Sequence, residues 1–384
     1  LFIDGNALGG AIVVISDLVE PRPSFPTEAV DLHAVSDDGQ KPPVQGGYLE
    51  RLPLAAVQAR LADRAEIWHH HQGTGTAVFQ GDDGITRRAF SVSGTAAPFH
   101  SDAMIDFIER QGAPRILCVW GLGVSEPILE ACAESIKIYN SIDVPALRVP
   151  PEVSRHFDLV LTGAEWQSDE VRQRHPDMPT LILPVGPDFA APETFFPIPD
   201  VPKIYDAVYV AAAQPYKRHD IFFDALARSP RPLKALCVMG YGEDGERLRQ
   251  DAAGRGLDID FVGPPGVPHA EVNRLINQAR VGVVCGVDDG APAILTEYML
   301  AGLPVVANDA LRCGLQYIEL ETGIAAPADR FEIAILEALE RTDFNPRQTV
   351  LDRWAWPHSI SKLAARIRSL KATRAERQPL SELA

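Results

Sequence analysis

The chain has 384 residues, more than one ordinary hydrophobic core organises, so two domains of about 180 to 200 residues are expected. With 46% hydrophobic and 23% charged residues, and no apolar run near the ~20 that a membrane span needs, the composition indicates a soluble globular protein with no integral membrane segment. The net charge of −16 is uneven: residues 1–200 hold 14 Lys and Arg against 28 Asp and Glu (net −14), and residues 201–384 hold 22 against 24 (net −2), which makes the first half a poor surface for nucleic acid or anionic lipid.

Strand-like and helix-like segments alternate along the chain, the pattern of parallel sheets covered by helices. A strand at 1–4, a glycine turn at 5–10 and a helix at 11–20 are expected, followed by a strand at 30–36, a helix at 48–65 and a strand at 66–69. Residues 76–92, with Asp82, Asp83 and Gly84 at the middle, read as a β-hairpin inserted into the pattern. A helix at 101–111 and strands at 116–120, 136–140, 159–161 and 180–183 follow. Six prolines between 184 and 202 mark an interdomain linker. A second series then runs through strands at 207–212, 236–239, 259–262, 281–285 and 304–307, with helices at 219–228, 243–254, 270–279 and 293–301 between them.

These segments divide into a first domain with linker over 1–200, a second over 201–358, and a terminal helix over 359–384. The fold class is α/β: two Rossmann-like, doubly wound domains facing across a cleft. Five cysteines lie scattered in apolar runs without a CxxC pair and read as reduced core residues of a cytoplasmic protein.

The most informative stretch is Asp289-Gly290-Ala291-Pro292-Ala293-Ile294-Leu295-Thr296-Glu297, between an apolar run and a second strand-like segment. Gly290 permits angles that a side chain forbids, and Pro292 suits a first helical position, where its missing N–H costs nothing. The amides of that turn and the helix dipole then make an anion site.

This stretch, continued by Tyr298-Met299-Leu300-Ala301-Gly302-Leu303-Pro304-Val305-Val306-Ala307, resembles the signature Glu-Gly-Phe-Pro-x4-Glu and Ala-x-Ala-x-Gly-x-Pro-Val-Val-Ala. That signature belongs to retaining glycosyltransferases of the GT-B fold, family 4 (glycosyl transferases group 1). Pro215-Tyr216-Lys217-Arg218, Val238-Met239-Gly240-Tyr241-Gly242, Phe261-Val262-Gly263, and Leu183-Pro184-Val185-Gly186-Pro187-Asp188 with Phe196-Pro197 support it. The resemblance covers residues 155–360, and the first 150 mainly in layout.

The resemblance implies a hexosyltransferase type of enzyme taking a nucleotide-diphosphate sugar as donor, without cofactor or metal. Glu297 would accept from the ribose hydroxyls and Asp289 from the donor sugar. Backbone of Gly290, Ala291, Pro292 and Ala293 would face sugar and phosphates, Lys217 would neutralise the leaving diphosphate, and Gly263 would border the base. Gly9 and Gly10 would let the first domain approach the phosphates. Two positions depart: Asp289 stands where the family has Glu, and Ala212 where it has Arg. Losing that cation is expected to weaken leaving-group stabilisation by ~2 to 4 kcal/mol unless Arg218 compensates.

His69, His70 and His71 cannot all chelate one ion, because neighbours on a strand point to opposite faces. Either His71 touches acceptor or leaving group, or it is a partly buried strand-end histidine. The triplet Asp258-Ile259-Asp260 opens a strand and reads as structural. The acceptor, a glycan, lipid-linked or small molecule, is expected near His71, 121–125 and 140–143. The other reading is a GT-B-fold binding or accessory subunit without catalysis.

Overall fold

Four consecutive β-branched residues, Ile12, Val13, Val14 and Ile15, lie near the start of the described chain, and none exposes any surface. Such a run loses side-chain freedom in a helix and packs well on a pleated sheet. Residues 11–20, expected to be helical, are therefore a strand, buried on both faces from Ala11 to Ser16. The computed structural model describes residues 8–23 and 41–377; the expected strands at 1–4 and 30–36 lie outside them.

The chain divides into unit 1, which runs to Val185 and resumes at Trp356, and unit 2, Gly186–Ala355. Unit 1 holds β1 (Ala11–Glu20), β2 (Arg64–His71), β3 (Thr76–Gln80), β4 (Ile85–Ser91), β5 (Ile116–Trp120), β6 (Ile136–Asn140), β7 (Leu159–Thr162) and β8 (Thr180–Ile182). Its helices are α1 (Tyr48–Gln58), α2 (Asp102–Gln111), α3 (Glu126–Ala131), α4 (Pro151–Ser154) and α5 (Glu165–Arg174). The sheet order is β3-β4-β2-β1-β5-β6-β7-β8, all parallel except β3, which pairs antiparallel with β4 at the edge. The β3–β4 turn holds Gly84 at φ 78°, and Arg87 clamps Asp83.

Unit 2 holds β9 (Tyr205–Val210), β10 (Ala235–Val238), β11 (Ile259–Val262), β12 (Ala279–Val284), β13 (Val305–Asn308) and β14 (Gly323–Ala326). Around them lie α6 (His219–Arg228), α7 (Gly245–Gly254), α8 (His269–Ile276), α9 (Ile294–Leu300), α10 (Phe331–Glu340) and α11 (Pro346–Arg353). The order β11-β10-β9-β12-β13-β14 is parallel throughout. Alternate residues of β9 serve opposite faces: Ala207 and Tyr209 pack with Phe222, Phe223 and Phe331, whereas Val208 packs with Tyr298, Met299 and Trp354. This period of two, with helices on both faces, is the doubly wound layout.

The proline-rich stretch is packed chain and not a spacer. Phe189 and Phe195 are fully buried, and Phe195 and Ala190 join the core of unit 2, so residues 186–200 fall with unit 2 and not with the first domain. A last helix, α12 (Trp356–Arg377), belongs to unit 1 and packs on α1.

Two buried histidines make stability depend on pH. Burial pushes His69 down from 6.5 to about 4, and burial with the Lys217 charge does the same to His219. Both are neutral in the fold, while an unfolded chain takes up protons below 6.5. Stability present above pH 6.5 is therefore lost as pH falls towards about 4, by ~3 kcal/mol per histidine. Melting followed from pH 7 downward should show this fall. His219→Phe, whose ring would lie near Tyr209 and Phe223, should make it shallower.

Candidate functional site

In unit 2 the chain order reverses at β9: β10 and β11 lie to one side, β12, β13 and β14 to the other. In open parallel sheets ligands bind beyond the strand carboxyl ends at such a switch point. Lys217 follows β9 and Asp289 follows β12, so the two residues flank it. They meet in an ion pair, Lys217 Nζ to Asp289 Oδ2, with side chains 15% and 10% exposed.

Local structure fixes both partners. A 3-10 turn, Pro215–Lys217, presents the lysine, and the buried Tyr209 hydroxyl donates to the Lys217 carbonyl. On the other side, a Cβ at Gly286 would come within 3.3 Å of Asp289 Oδ2 and 3.4 Å of the Tyr216 carbonyl. Any side chain at 286 would therefore crowd the pair.

The junction after Asp289 is braced from behind. A Cβ on Gly186 would stand 2.8 Å from the Ala291 carbonyl and 3.2 Å from the Ala293 nitrogen, so only glycine permits that approach. Thr296 Oγ1 donates to the Pro187 carbonyl at 2.9 Å, and the Tyr317 hydroxyl donates to Asp188. Helix α9 starts at Ile294, with Ala293 as its N-cap, two residues later than Pro292 would have begun it. Glu297 lies in its first turn and is 9% exposed, buried where a solvent-facing helix residue would not be. Beside it Tyr298 accepts from the Val210 N–H at 2.7 Å and donates to the Val208 carbonyl at 3.2 Å, pinning α9 to β9. Replacing Gly186 with alanine is expected to cost ~1 to 3 kcal/mol through backbone displacement. A thermal melt and nucleotide affinity, measured together, should both fall.

Other expected residues are placed differently. Ala291, at φ 21°, has its N–H on the Cys313 sulfur, whose thiol burial pushes up to about 11. The Arg218 guanidinium pairs with Asp220 at 2.7 Å in an exposed position. Gly263, at φ 75°, follows β11, two strands from β9, and a Cβ there would strike the Met239 carbonyl at 2.1 Å. Its glycine answers to packing, and the structure does not bring it to the Lys217–Asp289 pair.

Unit 1 has its own switch point between β1 and β5. Asp17 of β1 meets Gly121 after β5, where a Cβ would lie 2.2 Å from its Oδ2. Burial raises the Asp17 carboxyl, while Arg148, 3.3 Å away and also held by Asp143 at 2.9 Å, opposes that rise. The Tyr139 hydroxyl donates to the Gly121 carbonyl, and Tyr48, at the start of α1, stacks 5.2 Å from Trp120.

The expected first-domain contacts need correcting. Gly9 and Gly10 precede β1, so they lie at its amino end, with Gly10 against Asp63. The misread of residues 11–20 as helix caused this. Gly47 is the N-cap of α1, and its N–H donates to Glu50 at 2.9 Å. His71 is fully buried, its Nε2 3.1 Å from the Gly75 carbonyl, a role in its own turn. Asp260 accepts from the Tyr205 hydroxyl at 2.8 Å, the structural place expected for that triplet.

Residues 192–346 match the family model described as glycosyl transferases group 1. Among solved structures, the chain is similar to a sucrose-phosphate synthase from Thermosynechococcus elongatus, with 16% identity, 94% of this chain and 100% of that one covered, and a TM-score of 0.66. HepE of Anabaena, solved with UDP and glucose, matches at 15% identity over 94% and 100% of the two chains, TM-score 0.64. The lipopolysaccharide outer core galactosyltransferase WaaB in its apo form matches at 14% over 94% and 99%, TM-score 0.58. These likenesses show the fold, which is the GT-B class with two Rossmann-like units. No curated protein sequence matches the chain.

Proposed function

The chain carries a glycosyl transferases group 1 domain over residues 192–346, and from that premise we propose that it moves a hexose from a nucleotide-diphosphate sugar to a hydroxyl of a sugar, lipid-linked or small-molecule acceptor. The observation that carries this reading is the Lys217–Asp289 pair at the β9/β12 switch point. A lysine held there, largely out of water, suits the charge that develops on a departing diphosphate. When the donor's phosphates draw Lys217, Asp289 is released to accept from the sugar's hydroxyls. Glu297, one turn into α9, accepts from the ribose diol. In HepE the bound species are UDP and glucose, which agrees in chemistry with this assignment.

The proposed course retains anomeric configuration. The bond from the sugar's C1 to the diphosphate oxygen breaks, the acceptor oxygen attacks the same face, and the acceptor's proton passes to the departing diphosphate. Lys217 and backbone amides carry the phosphate charge, so the proposal needs no metal. We further propose that acceptor contacts come from unit 1, with Asp17 at the β1/β5 switch point accepting a hydrogen bond from the acceptor hydroxyl. No helix among the described residues is long and apolar enough to cross a membrane, and we place the enzyme in the cytoplasm, where nucleotide sugars are made.

A second reading, nucleotide-sugar binding without transfer, is favoured by one observation: Ala212 supplies no cation, and Arg218 is engaged by Asp220. Incubating the protein with UDP-, GDP- and ADP-sugars separates the two. Release of nucleoside diphosphate together with a glycosylated acceptor supports transfer. Thermal stabilisation without release supports the binding protein, and no stabilisation by any nucleotide sugar rejects both.

A further inference from the structure

A cavity in unit 1, about 620 Å³, has no part in the site above. Phe157 and Asp158 on its wall precede β7, and Pro179 precedes β8, so it opens at the amino ends of these strands, opposite the switch point. Its volume is that of an ordinary small-molecule pocket.

Three arginines from three separate elements meet there: Arg155 after α4, Arg174 at the end of α5, and Arg366 on α12. Arg155 is held by Glu126 at 2.7 Å, and Arg174 Nη1 donates to the Leu147 and Val149 carbonyls at 3.2 and 2.9 Å. Arg366 makes no hydrogen bond or ion pair to any described residue, and its Nε is buried. Two aspartates line the same cavity without serving it. Asp158 Oδ2 accepts from the Lys137 N–H at 2.8 Å, and Asp177 stands out of ion-pair range of Arg366.

A guanidinium N–H withdrawn from water and left unpaired is costly, and nothing in the described fold offsets it. The planar fork fits a tetrahedral or planar oxyanion, and Arg174 retains further donors facing the same space. Phe157, Met178 and Leu370 supply an apolar wall. Arg155 and Arg174 come from the acidic first 200 residues of the chain, net −14, whose charge disfavours an anionic membrane.

We propose that this cavity binds a small soluble phosphate-bearing molecule, with Arg366 as its anchor and Arg174 as second donor. Such a ligand would tie α12, the helix through which the chain re-enters unit 1, to the β7 and β8 edge.

The test is calorimetric titration of the full chain with inorganic phosphate and glycerol phosphate at constant ionic strength, with chloride as control. Binding by wild type and by Lys217→Met, weakened about tenfold or more in Arg366→Gln, is the expected result. Arg366→Lys, which keeps the charge and loses the fork, should fall between, and it stands in if the glutamine variant does not fold. Equal binding by wild type and Arg366→Gln, or an equal effect of chloride, overturns the proposal. Loss of phosphate binding in Lys217→Met with retention in Arg366→Gln also overturns it, by assigning the anion to unit 2. Sedimentation with phosphatidylglycerol vesicles that depends on Arg366, without binding of either soluble phosphate, overturns it in favour of a lipid headgroup.

Discussion

Glu297→Ala is expected to weaken nucleotide binding by two to three orders of magnitude while leaving the melting temperature within a few degrees of wild type. Two charge-assisted hydrogen bonds from a ribose diol to one carboxylate are worth about 3 to 4 kcal/mol together, which is that factor in affinity. The fold should tolerate the change because the groups that hold α9 lie elsewhere on it. Leu295, Tyr298 and Met299 are fully buried, and the Tyr298 hydroxyl bridges to β9. Glu297→Gln, which keeps an acceptor oxygen and loses the charge, should lose about tenfold. Titration with UDP, GDP and ADP alongside a thermal melt measures both quantities. Unchanged affinity in the alanine variant would remove Glu297 from the site. A large drop in melting temperature with affinity retained would make it a structural residue.

The Lys217–Asp289 pair gives the second large effect, and its two consequences can be separated. Lys217→Met leaves the Asp289 carboxylate, 10% exposed, without its cation, which should cost about 3 kcal/mol or more of stability. The same change removes the charge facing the leaving diphosphate and should lower transfer by a factor of ~10² to 10³. Adding Asp289→Asn removes the orphaned charge. The double variant should therefore regain most of the lost stability yet remain as slow in transfer as Lys217→Met or slower. Chemical denaturation and initial rates of nucleotide release test the two halves independently. Recovery of transfer in the double variant would show that Lys217 acts only by balancing Asp289, and the leaving-group role would fall.

Much of the second unit was legible in the order of residues. Short apolar runs such as Val281-Gly282-Val283-Val284, separated by turn residues and amphipathic helices, announce a parallel sheet whichever way its strands are later arranged. The first unit differs from expectation at residues 11–20, a strand where a helix was expected. Residues 11–15 are continuous hydrophobic sequence that periodicity alone does not assign, and the glycines before them invited a turn-to-helix reading. That single difference puts Gly9 and Gly10 at the amino end of β1.

The junction from Asp289 to Glu297 could be recognised from the chain because its parts are contiguous. A glycine, a proline and two acids at fixed spacing define a turn and a first helical turn through local backbone geometry. Which residues face that junction is non-local. Lys217 stands 72 positions from Asp289, and they meet only because β9 and β12 are neighbours in the sheet. Strand order, the two switch points, the glycine at 186 that admits the Ala291 carbonyl, and the unpaired Arg366 all follow from burial between distant segments. Local propensity carries no information about such pairings, since their free energy comes from surfaces that exist only once the sheets have formed.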